Sequence, residues 1–78
     1  MYKNLEEFRR EAEEHFNAKD EEKVYDSIQQ FVQLGSAAYD MDIIKRGYNI
    51  AALVAEVFKN DITAIKYYKK LRDVSEDD

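Results

Sequence analysis

The stretch Ile50-Ala51-Ala52-Leu53-Val54-Ala55-Glu56-Val57-Phe58, followed by Lys59-Asn60-Asp61 and then Ala64-Ile65-Lys66-Tyr67-Tyr68-Lys69-Lys70-Leu71, decides the fold class. Only Glu56 is polar between Ile50 and Phe58, so this segment is apolar on nearly every side of a helix and is expected to be central. Lys59-Asn60-Asp61 is a turn signal, with Asn60 suited to a left-handed C-cap and Asp61 to an N-cap. Beyond it, Ile62, Ile65, Tyr68 and Leu71 recur every three or four residues, the period of an amphipathic helix.

The rest of the chain carries the same pattern. Leu5, Phe8, Ala12 and Phe16 form one helical stripe, and Val24, Ile28, Phe31 and Leu34 form another, with Tyr25 and Val32 alongside. Asp20 and the Asp of Tyr39-Asp40-Met41-Asp42 are each positioned to cap the next helix. No Pro and only two Gly interrupt the 78 residues. The expectation is one all-α domain of four helices, at about 3–18, 21–38, 42–59 and 61–75, with a frayed tail at 76–78.

An internal repeat accompanies the helices, at an offset of 40 residues. Phe8 falls on Tyr48, Ala12 on Ala52, Val24 on Ala64, Ile28 on Tyr68 and Phe31 on Leu71, while the turn Asp20-Glu21 falls on Asn60-Asp61. Two units, at about 3–40 and 42–75, each read as helix, short turn, helix. Tyr48, Ala51-Ala52, Ala64, Tyr68 and Leu71 stand in the relative places of a bulky residue, a small residue, a second small residue and an aromatic. In this the chain resembles the tetratricopeptide repeat, strongly over 43–74 and weakly over 5–36. It departs from that family in having Ala for the usual Gly, no closing Pro, and a period longer than the common length of about 34 residues. Units of this longer class are similar in the segment 34–42.

The resemblance implies two antiparallel helix-turn-helix hairpins in a right-handed superhelical stack. It also implies a groove lined by the first helix of each unit. By register from the small residue, the groove positions are Glu6, Arg9, Glu13, Phe16 and Asn17 in unit one. In unit two they are Arg46, Asn49, Leu53, Glu56 and Val57. Arg46 and Asn49 would grip a peptide carboxylate or backbone, and Leu53 and Val57 would form the apolar floor unless they pack on helix 1. The expected function is therefore non-enzymatic protein–protein interaction, with a peptide or helix as partner. Self-association into a homo-oligomer, or membership of a longer array, is the second expectation.

Composition narrows the alternatives. A net charge of −5 disfavours nucleic acid, which needs a concentrated basic face. Residues 1–42 hold 5 basic and 11 acidic residues, whereas 43–78 hold 7 basic and 6 acidic. The later half includes a cluster of Lys66, Lys69, Lys70 and Arg72 that fits a solvated helix end. No apolar run approaches ~18 residues and the N-terminus lacks a signal core, which leads to a cytoplasmic, membrane-free expectation. No Cys and one His leave little for catalysis, and no cofactor is expected. His15 with Glu11 and Glu14 is the one cluster worth weighing for a metal. Ser27, Ser36 and Ser75 have no local base, and Gly35 and Gly47 form no phosphate loop. Among the tyrosines, Tyr25, Tyr48 and Tyr68 belong beside the packing stripes, and Tyr67 is assigned to the surface.

Overall fold

A computed structural model describes residues 5–75. All of the regular structure among them is helical: α1 (Leu5–Asn17), α2 (Glu21–Ala37), α3 (Met41–Val57) and α4 (Asp61–Ser75). These bounds lie within two residues of the sequence expectation. Residues 3 and 4, the side chain of Leu5 and the tail at 76–78 lie outside the described residues.

The three turns are copies of one device. Lys19, Tyr39 and Lys59 have φ of 59°, 54° and 59°, the left-handed region. At each turn this residue's N–H bonds back to Phe16, Ser36 or Glu56, and the next residue's N–H bonds to His15, Gly35 or Ala55. That pair of bonds satisfies the orphan carbonyls at the helix end. The following residue then caps the next helix. Asp20 accepts from the Lys23 N–H, Asp40 from the Asp42 and Ile43 N–H groups, and Asn60 from the Thr63 N–H. The expectation for the last turn is therefore corrected by one residue: Lys59 takes the left-handed position, Asn60 is the N-cap and Asp61 is already helical. Both halves of the motif need three linking residues, which leaves Asn60 no role as C-cap. The same geometry starts α3 at Met41, one residue before the sequence expectation.

Since Asp20, Asp40 and Asn60 are 20 residues apart, the offset of 40 seen in the sequence is twice a shorter structural period. Counted from each cap, positions four and seven are buried in α2, α3 and α4, and positions eleven and fifteen in α2 and α3. Val24, Ser27, Ile28, Phe31 and Gly35 are buried in α2, and Ile44, Gly47, Ala51, Ala52 and Ala55 in α3. Ala64 and Tyr67 are buried in α4.

Backbones approach one another between α1 and α2, α2 and α3, and α3 and α4, so the chain spreads into a slab of 35 × 30 × 13 Å. The core centres on Phe8, Val24, Ile28, Phe31, Ala51, Ala52 and Tyr67. Phe8 stacks on Phe31 with ring centroids 4.2 Å apart. Burying each of Val24 and Ile28 contributes about 1.5–3 kcal/mol. The α2–α3 crossing is close because Gly47 faces Val32. A Cβ on Gly47 would fall inside the van der Waals shell of Val32 Cγ2, and one on Gly35 would lie 2.7 Å from Ile43 Cγ2. The two glycines are thus packing devices in helix interiors.

In α4 the packing departs from the sequence expectation. Ile62, Ile65 and Tyr68 are 83%, 55% and 38% exposed, whereas Tyr67, expected at the surface, is 3% exposed. The helix carries apolar residues around most of its circumference, so its stripe does not choose a side. The choice follows from the Tyr67 ring, which fills the space between Tyr25 and Tyr48 with centroids 5.9 and 6.2 Å away.

Candidate functional site

α1 and α3 flank a depression whose floor is α2. One part, of about 350 Å³, is lined by Glu6, Phe8, Arg9, Phe31, Arg46 and Ile50. Next to it lies a more apolar part of about 180 Å³, lined by Phe8, Arg9, Ala12, Glu13, Phe16, Val24, Ile50 and Val54. The α1 edge is charged, with Arg9 Nε 3.4 Å from Glu13 Oε1 in an exposed ion pair. Such a pair one helical turn apart adds a few tenths of a kcal/mol and leaves both groups open to exchange partners. At the far end Phe16 meets Phe58 edge-on, at 5.5 Å and 62°, which closes the depression between the C-termini of α1 and α3.

Five of the ten sequence-derived positions are brought together here: Glu6, Arg9, Glu13, Phe16 and Arg46. The other five do not line it. Asn17 is the exposed last residue of α1. Asn49, Leu53, Glu56 and Val57 are exposed on α3, with Leu53 47% and Val57 62% accessible. The groove side of α3 is instead the row Arg46, Ile50, Val54. The two rows share Arg46 and differ by about 50° of rotation about the helix axis. The missed lining residues are Phe8, Ala12, Val24, Phe31, Ile50 and Val54. The spacing of four from Arg46 to Ile50 to Val54 was the available signal, masked by the general apolarity of α3.

Another cavity, of about 250 Å³, lies between α2, α3 and α4. It is lined by Ile28, Gln29, Val32, Gln33, Tyr48, Tyr67 and Lys70. Its surroundings are held by polar contacts. The Glu21 carboxylate accepts from the Tyr25 hydroxyl at 2.6 Å and from the Asn60 side-chain amide at 2.7 Å, so the start of α2 is tied to the α3–α4 turn. Burial, then the hydrogen bond to Glu21, push the Tyr25 pKa well above that of a free tyrosine. Lys66 Nζ lies 5.6 Å from the Tyr67 ring centre and Lys70 Nζ 5.7 Å from that of Tyr48, so two members of the basic cluster sit over aromatic rings.

Chemistry-bearing groups are sparse. Glu11 and Glu14 are exposed on α1 and His15 is half-buried, and no three His, Cys, Asp or Glu side chains come together as a metal site among the described residues. Ser27 is buried in α2, and among the described residues no buried side-chain nitrogen or oxygen lacks a hydrogen-bond partner. No described helix is long and apolar enough to cross a membrane. No protein-family model matches the chain, and no curated protein and no solved structure matches it significantly.

Proposed function

We propose that this all-helical chain is a non-enzymatic protein-interaction module that receives a peptide or a helix in the depression between α1 and α3. The reading takes the helices as antiparallel tetratricopeptide-like hairpins in a right-handed stack, working as a scaffold in the cytoplasm without cofactor, nucleic acid or membrane. The observation that carries it is the depression itself. Phe31 and Val24 supply an apolar floor, Phe8, Phe16, Ile50 and Val54 supply apolar walls, and Arg9, Glu13 and Arg46 supply charge at its edges. A ligand helix would bury its apolar stripe on the floor and exchange ion pairs at the rim.

The test is capture of partners from a host lysate with the wild type and with an Arg9→Glu, Arg46→Glu double variant. Both positions are on the rim, so circular dichroism is expected to show equal helicity. Loss of a specific partner with the rim variant supports the groove. Equal capture by both proteins, or by neither, removes it.

A second reading, self-association, is favoured by a different observation: Leu53, Val57, Ile62, Ile65 and Tyr68 leave a sizeable apolar surface exposed on α3 and α4.

A further inference from the structure

The exposed side of α4 has a pattern of its own. Asp61, Ile65, Tyr68 and Arg72 recur at spacings of four, three and four, which puts them in one row along the helix. Asp61, Ile65 and Arg72 are well exposed and Tyr68 is 38% exposed. In the 20-residue frame this row corresponds to Glu21, Tyr25, Ile28 and Val32 of α2, the side that α2 turns toward later helices. On α4 no described helix covers it.

We propose that this row is the interface of a symmetric dimer, with a second copy of the chain as its occupant. The proposal rests on the self-association reading and specifies its surface. The charge order selects the occupant and the direction. The row is acidic at its first position, apolar at the two central ones and basic at the last. Laid antiparallel on itself about its centre, it sets Ile65 against Tyr68 of the second copy and Asp61 against Arg72 of the second copy, twice over. A parallel arrangement would set Asp61 against Asp61 and Arg72 against Arg72. The two-fold axis thus makes one surface complementary to itself, as an isologous interface requires. The uncovered flank of α1 is a poorer occupant. It presents Glu11 and Glu14, which would place carboxylates on Ile65 and Tyr68.

Sedimentation equilibrium of the full chain from low to high micromolar concentration is the test, with helicity checked by circular dichroism. The wild type is expected to dimerise with rising concentration. Ile65→Glu, Asp61→Lys and Arg72→Glu should each weaken the dimer about tenfold or more. The Asp61→Lys, Arg72→Glu double variant should recover most of the loss, because the exchanged charges again meet across the axis. A wild type that stays monomeric throughout overturns the interface and self-association together. A dimer indifferent to Ile65→Glu overturns the interface and leaves self-association on another surface. A dimer lost in both single charge variants and not recovered in the double variant overturns the antiparallel register.

Discussion

α2 and α4 follow one frame, set by Asp20 and Asn60 as caps, yet they meet different surroundings. Val24 and Ala64, and likewise Ser27 and Tyr67, occupy equal positions and are buried in both helices. One residue later the helices part: Ile28 is 0% exposed and Tyr68 is 38% exposed. The difference lies in neighbours. α2 is flanked by α1 and α3, whereas among the described helices only α3 approaches the α4 backbone. Equal register therefore does not give equal energetics, since an apolar side chain stabilises only where another element removes it from water.

That contrast can be broken or sharpened by mutation. The largest effect is expected at the covered side of α2. Ile28→Ala should cost about 3 kcal/mol in urea denaturation. A core of this size supplies only about 3–5 kcal/mol in total, so the variant should be close to unfolding. A small loss there would mean that α2 is less enclosed than its burial implies.

Gly47→Ala comes next. The added methyl meets Val32 and should cost about 1–3 kcal/mol, reduced by the roughly 1 kcal/mol that Ala gains over Gly in a helix. Adding Val32→Ala should remove the clash part, and a double-mutant cycle measures it.

Tyr25→Phe should cost about 1 kcal/mol by deleting the hydrogen bond to Glu21. It should also change the alkaline limb. The folded pKa of Tyr25 is raised, so its contribution is complete below the unfolded value of about 10 and declines as pH rises above it. The wild type should lose stability more steeply than Tyr25→Phe above about pH 10.

A smaller effect, of opposite sign, is expected at the turns. Tyr39 is 94% exposed and held at φ 54°, and Tyr39→Gly should stabilise by about 0.5–1 kcal/mol in urea denaturation. The smallest effect belongs to the uncovered row. Ile65→Ala should change the stability of the dilute protein by less than about 0.5 kcal/mol. A loss comparable to that of Ile28→Ala would show that α4 is covered in solution even at low concentration.

Much of the architecture was legible along the chain. The number of helices and their bounds came from stripe period and from Asp20, Asp40 and the Asn60 turn, because capping and backbone satisfaction are local. The halved period was less visible. The turn at Tyr39-Asp40 carries no helix-breaking residue, and its left-handed position is filled by a tyrosine where glycine is usual. For the candidate site, the α1 side was legible at Arg9, Glu13 and Phe16, since α1 has one clear apolar stripe. On α3 the expected row ran through Leu53 and Val57, and the groove row runs through Ile50 and Val54.

The chain by itself determined that helices form, where they start and stop, and which residues of α1 and α2 turn inward. These depend on hydrogen bonding and periodicity within about one or two turns. Only the tertiary structure decided the rotation of α3 and α4. Both helices are apolar on several sides, so their own pattern offers several nearly equal orientations. Contacts distant in sequence choose among them: Gly47 against Val32, Tyr67 between Tyr25 and Tyr48, and Asn60 on Glu21. Those contacts put Ile50 and Val54 in the groove and leave Ile62, Ile65 and Tyr68 facing outward.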